Sequence, residues 1–265
     1  MKALYLLIFT ALTAGAYNAS TSIGSTGTLD RARKFKDRVA VPGHDDSQAW
    51  SSSLDLGVNM TKGNSETLFI TASATIDHEF GKNELFANFT YAYGEESKNT
   101  TEDEFILTAS LSRLLTEDKA WYVGIRVDGQ HDDLADIDYR FTSSNFVGHY
   151  LVNRPDDSLQ LSIESGLGLR TESQGSEDTT FGVLYLGQRF NYWVTDFTRI
   201  YQGFAMFDQM NKVASYQMIS EAGIETFLSD SMSFKAYAQN TYDAIPAEGR
   251  KKSDLRLISG LSYKF

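Results

Sequence analysis

The sequence predicts an all-β protein: a twelve-stranded antiparallel up-and-down transmembrane β-barrel. Three observations carry this. From Trp50 to Phe265 the side chains alternate with period two, the connections between alternating segments are short and long in turn, and the last segment runs into a closing aromatic. Period-two alternation marks strands with two different faces.

The chain has 265 residues, 42% hydrophobic and 13% aromatic, with three prolines and no cysteine. Scarce proline and abundant aromatics favour strands over helices. Without cysteine there is neither a disulfide nor a site for lipid attachment at a thiol. The formal charge is −11, which sets nucleic acid aside as a partner. Met1-Lys2, the apolar run Ala3 to Thr13 and then Ala14-Gly15-Ala16 read as a signal peptide over residues 1–16. Removing Lys2 with it leaves 23 basic residues against 35 acidic, a charge of −12. The alternative, an uncleaved anchor helix, has an apolar run too short to span a bilayer. Residues 17–48, with small polar residues and then the basic "RARKFKDR" at Arg31 to Arg38, read as a flexible or short helical periplasmic leader. Such a leader has the alternative of plugging the barrel, which is expected over residues 49–265.

Segments are expected at 50–61, 66–80, 84–94, 103–115, 120–131, 137–152, 158–171, 179–193, 197–209, 214–228, 231–243 and 254–265. In the first, Trp50, Leu54, Leu56, Val58 and Met60 share one face and Ser51, Ser53, Asp55, Gly57 and Asn59 the other. Leu85, Ala87, Phe89, Tyr91 and Tyr93 oppose Asn88, Thr90 and Gly94; Trp121, Val123, Ile125 and Val127 oppose Tyr122, Gly124, Arg126 and Asp128. In 137–152 and 197–209 the phase breaks, which predicts bulges there and leaves their faces unassigned. One segment about every 18 residues is too sparse for a sandwich and suits strands that cross a bilayer at a tilt.

The connectors decide between classes. Short ones ("GKN" 81–83, "TEDK" 116–119, "RPDD" 154–157, "TD" 195–196, "SDS" 229–231) alternate with longer, mostly acidic ones ("EESKNTTED" 95–103, "QHDDLAD" 130–136, "ESQGSED" 172–178, "AIPAEGRKKS" 244–253). Short periplasmic turns, longer external loops and an even strand count are the wiring of a barrel in a bacterial outer membrane. Lipid then requires the apolar face outward and the polar face inward. Tyr and Trp near segment ends (Trp50, Trp121, Tyr192, Trp193, Tyr263) fit an interfacial girdle.

The first hairpin, "WSSSLDLGVNMTKGNSET", with Gly57 in its strand and Gly63-Asn64-Ser65 at its tip, resembles the opening of the bacterial domain-of-unknown-function 481 family of salt-induced outer-membrane proteins. The resemblance covers about residues 49–265. It implies an outer-membrane barrel and brings no catalytic residue. Gly260, Tyr263 and Phe265 resemble the C-terminal assembly signal of outer-membrane barrels, although Ile258 stands where a polar residue is usual.

Inward positions carry both charge signs. The expected lumen network sets Arg126, Arg170, Arg189, Lys235 and Arg256 against Glu164, Glu221 and Glu225, with Asp55, Asp77 and Asp128 on the same face. Paired across a narrow lumen these groups fill it; left unmatched they set the selectivity of a pore. Catalysis has thin support. His131-Asp132-Asp133 reads as a solvated acidic loop, and Ser143, Ser144 and His149 as a bulged strand. Acidic clusters such as Glu95-Glu96 with Glu102-Asp103-Glu104 lack any fixed cation-binding spacing. The sequons at Asn18, Asn59, Asn88 and Asn99 carry no weight in a bacterial barrel.

The expected function is therefore non-enzymatic: an integral outer-membrane barrel with a charge-filled lumen and a structural or envelope-stress role. The alternative is a narrow passive channel for ions or small solutes, and the third class an outer-membrane hydrolase. No cofactor or metal is expected. The expected partners are outer-membrane lipid and lipopolysaccharide, the barrel assembly machinery and periplasmic chaperones. The sequence leaves the oligomeric state open.

Overall fold

A computed structural model describes residues 48–61, 67–116, 120–153, 158–175, 177–212, 214–246 and 251–265. The signal peptide and all of the leader up to residue 47 lie outside these residues, as do several turn tips. The described residues form twelve strands: β1 (Gln48–Thr61), β2 (Thr67–Phe80), β3 (Asn83–Glu96), β4 (Asn99–Leu114), β5 (Trp121–Asp132), β6 (Ile137–Asn153), β7 (Leu159–Gln174), β8 (Glu177–Thr195), β9 (Thr198–Gln209), β10 (Tyr216–Phe227), β11 (Met232–Asp243) and β12 (Ser253–Lys264). Each pairs antiparallel with its sequence neighbours, and β12 returns to β1, closing the barrel.

Closure satisfies every strand edge, the condition lipid imposes on a sheet. The exterior meets the second condition. Leu54, Leu56, Val58, Ile125, Leu167, Leu169, Leu257 and Leu261 stand exposed on the outer surface, while Asn88, Thr90, Thr108, Arg126, Glu164 and Glu225 are buried within. A soluble protein would have the opposite arrangement.

The predicted bulges are partly where the sequence puts them. In β6 the ladder slips at Asp138 and again at Leu151, so this strand has three phases and Arg140 turns inward. The other break belongs to β8: Val194 is the extra residue, between the pairs Trp193 with Arg199 and Thr195 with Thr198. Strand β9 itself alternates regularly, burying Arg199, Tyr201, Gly203, Ala205 and Phe207. Its phase is hard to read because aromatic residues occupy both of its faces.

Two acidic loops prove to be strand. β3 and β4 extend to a two-residue turn, Ser97-Lys98, with φ of 50° and 68°. β7 and β8 extend to Gln174 and from Glu177. The expected length asymmetry is thus expressed partly as longer hairpins. Trp193 is a further correction: it lies inside, stacked on Phe227 at 5.7 Å, because the phase of β8 places it with Asn191. Trp121, Tyr192 and Tyr263 face outward.

Candidate functional site in the lumen

A barrel of ~8 strands is filled by its own side chains and one of ~16 to 18 leaves a water channel. Twelve strands fall between, so the lumen side chains decide. They divide into three sets.

The first is an aromatic cluster on the β5 to β10 wall: Tyr122, Phe146, Val183, Tyr185, Ala205, Phe207 and Ile219 are all buried and in contact. Tyr185 lies 5.4 Å from Phe207 and 6.0 Å from Phe146, centroid to centroid. Glycines opposite the rings make room; a Cβ on Gly148 would strike the Tyr122 ring. The expectation of a polar lumen is corrected here. Most of these rings sit on β6, β8 and β9, and in β6 and β9 the sequence leaves the phase unassigned.

The second set is centred on Glu164. Its carboxylate accepts from Tyr122 Oη at 2.9 Å and Tyr185 Oη at 2.6 Å, and it pairs with Arg189. A buried charge is tolerated when its lone pairs are met in this way. Arg126 stands over the Tyr185 ring at 5.7 Å, and its own partner is Asp128 at 2.6 Å.

The third set links distant strands. Arg256 on β12 pairs with Glu102 and, at 2.8 Å, with Glu104 on β4, four strands away round the barrel. Arg140 on β6 accompanies Glu172 at 2.6 Å and approaches Asp243 on β11, five strands away, at 3.9 Å. Arg170 on β7 donates to Thr142 Oγ1 at 2.8 Å and to Gln217 Oε1 on β10 at 3.0 Å. The contacts of Arg256 with Glu102 and Glu104, of Arg140 with Asp243 and of Arg170 with Gln217 span the lumen, since neighbours on the wall are one strand apart.

Of the expected pairings, Arg189 with Glu164 is present. Glu225 is held instead by Arg199 at 2.6 Å and by Ser233 Oγ at 2.6 Å. Lys235 pairs with Asp55 at 2.7 Å, reaching over β12 to β1. Glu221 accepts from Gln239 Nε2 at 3.2 Å. Sequence reading missed Arg140 and Arg199, whose strand faces it left unassigned, Glu102 and Glu172, which it placed in loops, and Glu104, at the start of the segment expected over 103–115. The acidic cluster at 95–104 is split by the pleat. Glu102 and Glu104 turn in to Arg256, whereas Asp103 and Glu95 accept from Tyr91 Oη at 3.0 Å and Tyr93 Oη at 3.2 Å. Among the described residues no group of three or more His, Cys, Asp or Glu is placed to hold a metal ion.

The hydrolase residues are not assembled. His131 Nε2 lies 3.2 Å from Asp133 on the exposed rim. His149 stacks on Trp121 at 4.3 Å on the outer face, whereas Ser144 is buried inside. Ser143 shares the outer face, but six residues of strand separate it from His149 by ~20 Å.

At the seam, Gly260 pairs with Gly57, and a Cβ at Gly260 would collide with the Leu56 carbonyl oxygen. Tyr263 and Phe265 both face outward and stack, 6.3 Å apart, and the Phe265 N–H donates to the Ser52 carbonyl at 3.1 Å.

A closed antiparallel barrel with an apolar exterior and a charged, ring-packed interior is an outer-membrane β-barrel. More particularly, the chain belongs to the family of proteins of unknown function DUF481, which matches residues 54–265. Several solved structures are similar to it at low identity. The NanC porin is 8% identical with a TM-score of 0.50, covering 82% of this chain and 100% of that one. The translocator domain of the autotransporter NalP from Neisseria meningitidis is 12% identical (TM-score 0.42; 89% and 94%). An outer-membrane channel from Pseudomonas putida F1 is also 12% identical (TM-score 0.48; 85% and 100%). No curated protein matches the chain.

Proposed function

We propose that this protein is a structural barrel of the bacterial outer membrane whose lumen is occupied by its own paired charges and packed rings, with a role in the envelope under stress. The observation that carries this reading is the set of contacts across the lumen: Arg256 to Glu102 and Glu104, and Arg140 to Asp243, joining strands four and five apart. An open porin keeps such charges on opposite walls, where they set the field on a passing ion. The buried Glu164 group supports the same reading, because its hydrogen-bonding groups are already met by Tyr122, Tyr185 and Arg189. Its partners would be outer-membrane lipid and lipopolysaccharide, with the assembly machinery and periplasmic chaperones acting before insertion.

Single-channel recording of the purified protein in planar bilayers tests this. The expected result is silence under conditions where a known porin conducts. Steady conductance whose ion selectivity changes on Arg189→Glu would overturn it in favour of the narrow channel. The envelope role predicts slower growth of a deletion strain at high salt, restored by the intact gene.

A further inference from the structure

At the outer mouth, Arg140 reaching toward Asp243 cuts off the sector of lumen bounded by β7 to β10. Within it lies a recess open to solvent, lined by Arg140, Arg170, Phe181, Phe207, Tyr216 and Gln217 among others. Its two carboxylates, Glu172 and Asp243, stand beside Arg140 at 2.6 Å and 3.9 Å. Among the described residues Arg170 makes no ion pair within 4 Å. Although only 6% exposed, it is held by two neutral acceptors, Thr142 Oγ1 and Gln217 Oε1, with its guanidinium 5.0 Å above the Phe207 ring.

The hydrogen bond to Gln217 also orients that amide. A guanidinium only donates, so the Gln217 oxygen must face Arg170 and its Nε2 must face away. Among the described residues neither Arg170 Nη1 nor Gln217 Nε2 has an acceptor, and both side chains line the recess. Two side chains from β7 and β10, fixed to each other at 3.0 Å, thus direct N–H groups into the same space, where Arg170 has only neutral acceptors. A carboxylate is the group that guanidinium and amide donors satisfy together.

We propose that this recess is a binding site for a small organic monoanion, whose carboxylate is held by Arg170 and Gln217 and whose polar body lies toward Tyr216. Glu172 and Asp243 across the recess repel a dianion, which restricts the ligand to a single charge. The site faces the outside and needs no open lumen, so it stands apart from the question of conduction.

The test is calorimetric titration of the full chain, purified from outer membranes in detergent, with sodium gluconate as the probe and glucose, choline and inorganic phosphate as controls. Gluconate is expected to bind, and glucose and choline not to. Arg170→Gln is expected to weaken gluconate binding by ~tenfold or more. Gln217→Glu places a carboxylate against Arg170, keeps the fold and abolishes binding, which covers the case in which Arg170→Gln fails to fold. Unchanged affinity in Gln217→Glu would overturn the site, as would no binding of gluconate, equal binding of glucose, or tighter binding of phosphate.

Discussion

The wall from β5 to β9 and the seam between β12 and β1 are built in opposite ways. On the wall the ladders are long: β6 pairs with β7 from Ile137 to Asn153, and β7 with β8 over the whole of Leu159 to Gln174. Their inner faces pack rings on one another. The seam is paired at only five positions, Ser53 to Gly57 against Lys264 to Gly260. Among the described residues the buried aromatic cluster does not reach it. Two facing glycines bring the strands together there, and Lys235 clamps Asp55 across the bare surface of Gly260. The wall is stabilised by burial, which is spread over many side chains and tolerates single losses. The seam depends on a few contacts, each needed for closure.

This contrast is open to direct attack. The largest effect is expected at the seam from Gly260→Val, whose side chain has no space beside Leu56 and Gly57. Most of the protein should fail to reach the heat-modifiable, membrane-inserted form, and normal gel migration of this variant would refute the account of closure. Deleting Phe265 tests the proposed assembly signal of Gly260, Tyr263 and Phe265. Outer-membrane levels should fall sharply, since the residue anchors the strand end through Ser52 and stacks on Tyr263.

On the wall, Glu164→Ala strands Arg189 and two tyrosine hydroxyls. The expected cost is ~3 to 5 kcal/mol, read as a lower urea midpoint in vesicles. Lys235→Ala is expected to cost ~1 to 3 kcal/mol, because its pair with Asp55 is partly open to water, with side chains 19% and 23% exposed. Tyr122→Phe keeps the ring against Gly148 and removes one hydrogen bond to Glu164, which predicts ~1 kcal/mol. If Tyr122→Phe cost as much as Glu164→Ala, the hydrogen bonds rather than the rings would be holding the wall.

Much of the fold was legible. The ends of β2, β5, β6 and β11 fall within a residue or so of their expected positions, because a lipid-facing strand must alternate and a turn must not. The site was less legible, for local reasons. Arg140 lies just beyond the bulge at Asp138, and one extra residue reverses the face of everything after it. Glu102 sits in a polar run that reads as loop, with Glu104 at its edge, until the β3–β4 ladder is seen to continue through both. Trp193 fits a girdle by its place near a strand end, and only the phase of β8 turns it inward.

The sequence by itself determined the strand count, the membrane-facing surface and the order of turns, since each follows from alternation along one chain. Which charges meet was decided by the tertiary structure. Arg256 and Glu104 are 152 residues apart, and no periodicity along the chain encodes a contact across the lumen. The stagger of twelve strands sets the depth of every inward side chain, and that stagger depends on bulges and on closure at Gly260, where the last strand meets the first.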